Sequence, residues 1–273
     1  TWFSPCPFRQ AVVQERVKAY NALKDVSEAN YMSETFGNTY FSVAVCRKIG
    51  TIREDIEARF RAGELWERER AMLVTSLLYA IDKIANTCGH YDAYRKGVAY
   101  AEDFVMGVPE IDYAVQFGNR CFNLDANVLA QEVRCDLAYL DPPYNSRQYC
   151  DAYHLLENVA HWEKPAVRGV ARKMERGGLK SEYCTSHAEA AFADLVAHLD
   201  CRFIVLSYNN TGLKANDRSN AKLSDEAIWE ILGRRGEVRV FTTDYRAFSA
   251  GKSENRGNAE RLFLCTVGKK LCQ

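Results

Sequence analysis

With 273 residues, 47% of them hydrophobic and 26% charged, the chain carries ample apolar material for a large core, as one domain or as one domain with an insertion. Its 36 basic residues balance 36 acidic ones, which excludes nucleic-acid binding through net charge and leaves only a local basic face for that purpose. The longest apolar run, Ala71 to Ile81, is too short to cross a bilayer and is interrupted by Thr75 and Ser76, so no membrane partner is expected.

Periodicity divides the chain in two. Residues 1–110 read as a helical region: one helix over Gln10 to Leu23, a second over Ile52 to Phe60 with Arg53, Glu54, Glu57 and Arg59 facing outward, and a long third over Glu64 to Cys88. The third carries an apolar ladder at Leu73, Leu77, Ile81, Ile84 and Cys88, stops at Gly89, and is assigned to the core with no chemistry. Residues 111–273 read as an α/β layer, with strands expected at Arg120 to Leu124, Asp136 to Leu140, Phe203 to Tyr208, Val238 to Thr243 and Leu262 to Val267. Helices are expected over Tyr149 to Trp162, His187 to Leu199 and Ser224 to Leu232, with a basic insertion at about 164–186. The last two strands read as a closing hairpin.

The ten cysteines include no Cys-x-x-Cys pair and no paired His spacing, so no metal site is expected. Reduced, buried thiols of a cytoplasmic protein account for them. Cys150 has no activating neighbour and reads as packing.

The chemistry is concentrated where the run Leu137-Ala138-Tyr139-Leu140 gives way to Asp141-Pro142-Pro143-Tyr144. An exocyclic amine on a planar base is a poor nucleophile because its lone pair is delocalised into the ring, and a site that accepts both amine hydrogens localises that pair. Asp141 offers a carboxylate, while Pro142, lacking an N–H, leaves the carbonyls of residues 141 and 142 free to project as acceptors. Tyr144 offers a flat face. A base inside a duplex cannot reach such a turn, so this reading requires an extruded nucleotide in a cavity beside the Tyr144 ring, and a sulfonium methyl donor. Pro and Asp are also ordinary turn residues, and a stiff strand exit with a solvated Asp remains the plain alternative.

The extended run from Asp141 to Tyr149, Asp-Pro-Pro-Tyr-Asn-Ser-Arg-Gln-Tyr, resembles the signature of the Dam-like class of N6-adenine-specific DNA methyltransferases, in its restriction–modification branch. Three further blocks agree in order: Asn123 to Ala126, Ile204 to Asn210, and Ala85 to Tyr91 with Tyr94 downstream. The resemblance runs from about Tyr40 to the C-terminus. It implies a Rossmann-like class I methyltransferase sheet and transfer of methyl from S-adenosylmethionine to an adenine flipped out of DNA. By the same resemblance Asp141, Pro142, Pro143 and Tyr144 are catalytic, and Asp125, Ala126 and Asp141 contact the cofactor. Tyr144, Asn145, Arg147, Ser207 and Asn209 border the substrate, joined by Lys173 and Arg176 of the basic insertion.

One departure stands out. The family carries a Phe-x-Gly-x-Gly turn ahead of the position matched by Asp125, and no Gly-x-Gly occurs anywhere in this sequence. The expected sheet is therefore incomplete at its N-terminal side, lacking the central strand and the one beside it, so that the strands ending at Asp125 and Asp141 have no bridge. The first residue is Thr1, which fits a fragment, and a longer parent or a partner chain is expected to supply the turn.

Several residues keep two readings. Asp125 is either a cofactor contact or a cap on the turn after a strand, and Ser207 and Asn209 either border the base or satisfy strand-end backbone groups. Asn86, Tyr91 and Tyr94 read as packing around Gly89 or as base or cofactor contacts. Arg147 and Gln148 orient the turn or touch the target strand. The stretch Lys164 to Lys180, with Arg168, Arg172, Lys173 and Arg176 against Glu175, reads as a solvated loop or as a grip on the DNA backbone. A second basic patch runs from Lys214 to Lys222. Competing functions are transfer to cytosine N4, to an RNA adenine or to a glutamine amide, a catalytically silent DNA-binding remnant, and a split enzyme.

Overall fold

Side-chain caps and buried stripes set the limits of the N-terminal helices. The computed structural model describes residues 8–111, 118–209, 221–244 and 259–268. It opens with α1 (Gln10–Ala22), α2 (Tyr31–Phe36), α3 (Val43–Arg61) and α4 (Glu67–Ile84). Asn30 and Ser33 form a reciprocal capping box at the start of α2, and Ser42 accepts the N–H of Val45 at the start of α3. A Cβ on Gly50 would lie 2.2 Å from the Asn30 side-chain oxygen, so the cap of α2 fits against α3 only because that position is glycine. Helix α3 begins at Val43 rather than Ile52: burial of Val45, Cys46 and Ile49 outweighs the weak helical preference of β-branched residues. Burial also pushes the Cys46 thiol up to about 12, leaving it inert at neutral pH.

Three further expectations for this region are corrected. Arg53 and Glu57 do not face outward: Arg53 is fully buried, pairs with Glu57, and donates to the carbonyls of Val159 and Ala160 at 2.7 and 3.0 Å. Those carbonyls belong to the last turn of α7 (His154–His161), where helical carbonyls lack internal partners, and that demand draws the arginine inward. Helix α4 stops at Ile84 because the Asn86 N–H bonds instead to the Tyr40 carbonyl at 2.9 Å. The single helix expected over Tyr149 to Trp162 is two, α6 (Tyr149–Ala152) and α7, since the Ala152 carbonyl is taken by the Tyr91 N–H at 2.7 Å. Leu73, Leu77 and Ile81 enter one apolar cluster with Ile49, Ile52, Leu155 and Val159, whereas Cys88 is exposed.

Compactness draws the division between units differently from a boundary at residue 110. Cys150–Arg176 group with the helical N-terminal part, and Phe122–Tyr149 group with the chain from Gly177 onward. The basic stretch thus belongs to the helical unit as far as Arg176.

The second unit is a mixed four-stranded sheet in the order β1-β2-β4-β3, formed by β1 (Leu137–Leu140), β2 (Phe203–Asn209), β3 (Gly236–Asp244) and β4 (Ala259–Val267). Strands β1 and β2 are parallel, with Leu140 opposite Leu206, and β4 runs antiparallel to β2 and β3. Ala138, Ile204, Leu206, Tyr208, Phe263 and Cys265 form one core with α8 (Ala188–His198) and α9 (Asp225–Gly233). The alternate residues Leu137, Tyr139, Phe241 and Leu262 are exposed on the other face. This is the α/β architecture of a class I methyltransferase sheet, with β1 as an edge strand among the described residues.

The strand expected at Arg120 to Leu124 is absent: these residues are irregular, with Phe122 and Leu124 exposed. A short segment gains strand geometry only from a neighbour to pair with. The helix that follows, α5 (Ala126–Leu129), went unforeseen. Among the described residues no helix is long and apolar enough to cross a membrane.

His154 makes the helical unit sensitive to acid. It is buried, with Nε2 2.9 Å from the Tyr91 carbonyl and Nδ1 without a hydrogen-bond partner among the described residues. Burial, with help from the charges of Lys173 and Arg176, lowers its pKa below 6.5 despite the opposing Tyr91 bond. The unfolded chain therefore takes up this proton first, so its contribution to stability is complete above about pH 6.5 and declines as the pH falls below that value. Melting temperatures recorded from pH 7.5 to 5 should fall with acidity, and His154→Gln should flatten the slope; equal slopes for both proteins would refute the assignment.

Candidate active site

The parallel pairing of β1 with β2 brings two strand ends together. Because Leu140 lies opposite Leu206, the turn from Asp141 and the segment from Ser207 leave the same edge of the sheet, the place where open α/β sheets bind ligands. Asp141 is exposed, and Tyr144 retains 39% of its surface. Among the described residues β1 is an edge strand, so the turn from Asp141 stands on a ledge at the border of the sheet. Two cavities are lined by residues of the helical unit, one by Tyr79, Lys83 and Val105 and the other by Gln14, Met72 and Ile111.

The ledge is nonetheless firmly held. The Tyr144 carbonyl accepts hydrogen bonds from the Lys222 N–H at 2.8 Å and the Tyr208 hydroxyl at 3.0 Å. The Asn145 side chain accepts the Arg147 N–H at 2.9 Å, closing an Asx turn. Gln148 and Ser181 exchange two bonds, amide Nε2 to the Ser181 carbonyl at 3.0 Å and the Ser181 N–H to Oε1 at 2.8 Å. The Arg147 carbonyl accepts from the Cys184 thiol, and the Arg147 side chain is exposed. Gln148 is thus an orienting residue within the sheet unit.

The alternation of β2 separates its residues. Ser207 and Asn209 lie on the half-exposed side, and the Asn209 carbonyl accepts from Arg261 at 2.9 Å. Tyr208, between them, turns inward and reaches the Asp141 to Tyr144 turn. The sequence placed Tyr208 in the Ile204 to Asn210 block and Lys222 at the end of a basic patch without giving either a role of its own; the period-two pattern Ile204, Leu206, Tyr208 was the available signal for the first. Asn210 and most of the Lys214 to Lys222 patch lie outside the described residues.

Asp125 caps α5, its Oδ1 accepting the N–H groups of Asn127 at 2.8 Å and Val128 at 3.3 Å, and Ala126 is the first residue of that helix. Its second carboxylate oxygen makes no hydrogen bond among the described residues.

In the helical unit, Lys173 pairs with Asp92 at 2.5 Å and Asp151 at 3.1 Å, and Arg176 pairs with Asp151. Asp151 feels a burial penalty, but the bonds from Arg176 and then Lys173 overcome it and hold its carboxyl below the usual range. Lys164 is engaged by Glu54. Arg168 and Arg172 are exposed and form no salt bridge among the described residues. Asn86 bonds to the carbonyls of Thr39 and Arg95, and the buried Tyr91 to Asp82, so both are structural. Among the described residues no group of His, Cys, Asp and Glu is placed to hold a metal ion.

A profile of the D12 class N6 adenine-specific DNA methyltransferases matches residues 9–220. The chain is 36% identical over 243 residues to the modification methylase StsI of Streptococcus sanguinis, covering 85% of this chain and 35% of that protein. It is 32% identical over 223 residues to the modification methylase LlaI of Lactococcus lactis subsp. lactis, covering 79% and 34%. It is 33% identical over 221 residues to the type II methyltransferase M.NlaIII of Neisseria lactamica, covering 80% and 63%. The chain therefore spans about a third of the length of the first two relatives. No solved structure matches it.

Proposed function

Because the chain belongs to the D12 class N6 adenine-specific DNA methyltransferase family, we propose that it forms the target-base side of a site-specific DNA methyltransferase of a restriction–modification system, acting in the cytoplasm. An adenine swung out of the duplex lies on Tyr144 and presents its N6 amine to Asp141. The observation that carries this reading is the Tyr144 carbonyl held by two donors, with the ring left outward beside an exposed carboxylate.

The chemistry follows from acceptors. Asp141 and the carbonyls of residues 141 and 142 accept the two amine hydrogens and localise the nitrogen lone pair; as nitrogen bonds the methyl carbon, the carbon–sulfur bond breaks with its electron pair going to a neutral thioether, and the proton that nitrogen then sheds passes to Asp141 and on to solvent. Pro142 and Pro143 bring no N–H groups that would compete with the base for those acceptors. Tyr144 supplies stacking, and Asn145 and Arg147 lie where they contact the strand beside the extruded base. Ser207 and Asn209, at the end of β2, border the same ledge. When bound, S-adenosylmethionine supplies a methyl group already activated as a sulfonium, so alignment is the main task left to the protein.

The residues present fit that donor in part. The unengaged oxygen of Asp125, beside Ala126, suits a ribose hydroxyl, and Asp141 would help to hold the donor near its methyl group. The glycine turn that would let backbone approach the cofactor is missing from the sequence. The open edge of β1 and the greater length of two relatives support a turn supplied by a longer parent polypeptide or a second chain.

DNA contact also needs cations. For Lys173 and Arg176 to meet phosphate they must release Asp92 and Asp151, so Arg168 and Arg172 are the first phosphate contacts of this stretch, and Lys173 and Arg176 the support beneath them.

Two experiments test these assignments. Labelled S-adenosylmethionine and mixed DNA, given to the chain with and without an extended N-terminus, should yield N6-methyladenine, and Asp141→Ala should abolish transfer while altering cofactor affinity far less. Methylated cytosine, RNA or protein, or an active Asp141→Ala, would overturn the reading, and inactivity of every form would favour a silent remnant. Separately, replacing Arg168 and Arg172 with Ala should reduce the slope of log affinity against log salt by about 1.8, the value for two lost phosphate contacts. A slope unchanged by that pair but reduced by Lys173→Ala would reverse the assignment.

A further inference from the structure

We propose that Tyr208 is a positioning residue for the target base, acting through Tyr144; this rests on the methyltransferase reading above. Tyr208 is 2% exposed and packs in the sheet core with Ile204, Leu206 and Phe263. Its hydroxyl donates to the Tyr144 carbonyl at 3.0 Å and accepts the N–H groups of Lys222 at 3.1 Å and Leu223 at 3.0 Å. One donor and two lone pairs are thereby all engaged, which fixes the oxygen in three directions. The Lys222 N–H also reaches the Tyr144 carbonyl, so a phenol oxygen, a carbonyl and two amides form one closed cluster.

The two tyrosine rings meet edge to face, with centroids 6.5 Å apart and planes at 85°. Tyr208 therefore constrains Tyr144 twice, through its carbonyl and through its ring. This constraint falls where the turn most needs one. Pairing of β1 with β2 ends at Leu140 opposite Leu206, and the two prolines that follow bring no N–H to extend it. The buried end of β2 thus sets the angle of a ring whose own surface is open to a ligand. Tyr208 does not touch the base, and its effect should appear in the placement of the base more than in the capture of DNA.

The test uses the intact polypeptide that carries this chain, with a DNA duplex holding 2-aminopurine at the target position. Tyr208→Phe keeps the ring and removes the oxygen. The expected result is a loss of kcat of about tenfold, the effect of one hydrogen bond, with KM for DNA nearly unchanged and a weaker 2-aminopurine emission on binding. Wild-type kcat and emission in a folded Tyr208→Phe would overturn the proposal. If that variant fails to fold, 3-fluorotyrosine at position 208, which keeps the donor for the Tyr144 carbonyl and both lone pairs, should retain kcat and emission; loss of both in a folded protein would equally overturn it. Absence of DNA methylation by the wild-type polypeptide would instead sink the methyltransferase reading, a result distinct from either.

Discussion

Two consecutive prolines deprive positions 142 and 143 of N–H groups, so the chain leaving β1 cannot go on pairing with β2 and must be held by its carbonyls. The Tyr144 carbonyl meets that need, with one bond from a loop amide and one from a phenol buried in the sheet core. Packing of Ile204, Leu206 and Phe263 fixes the phenol, the phenol fixes the turn, and the turn carries two exposed residues, Asp141 and Tyr144. Removing N–H groups from the turn has two effects at once: it breaks the strand, and it leaves acceptors for an amine.

The helical unit is organised by charge as much as by its apolar ladder. Arg53, with no exposed surface, satisfies the last carbonyls of α7 and balances Glu57, which also takes Arg70. Truncating such a residue leaves an uncompensated buried partner, a change that costs about 3–5 kcal/mol in comparable buried pairs. Asp151 gathers Lys173 and Arg176, so paired charges close the segment from Cys150 to Arg176 on itself within this unit.

Much of this was legible in the sequence because local signals and tertiary demands agreed. Strands β1 to β4 and helices α8 and α9 fall where alternation and apolar stripes place them. The Asp-Pro-Pro-Tyr run suggests a chemistry on sequence alone because proline's missing donor and the acceptor inventory of aspartate are intrinsic properties. Other features depend on partners distant in sequence. Arg53 and Glu57 looked like a solvated face until α7 supplied carbonyls; Arg120 to Leu124 looked like a strand but had no neighbour; Lys173 and Arg176 looked available but met Asp92 and Asp151. The choice between Ser207, Tyr208 and Asn209 turned on one step of strand alternation, and the residue that reaches the turn is the one facing inward.

The central claim is that the Asp141 carboxylate and the adjoining carbonyls accept the hydrogens of a swung-out adenine. A crystal structure of the intact polypeptide with its DNA substrate and a non-reactive analogue of the methyl donor measures this directly. The account places the N6 nitrogen about 2.7–3.2 Å from an Asp141 oxygen and from a carbonyl oxygen of residue 141 or 142, with the base stacked on Tyr144. An adenine still paired within the duplex, or an amine held by other residues while Asp141 points into solvent, would contradict it.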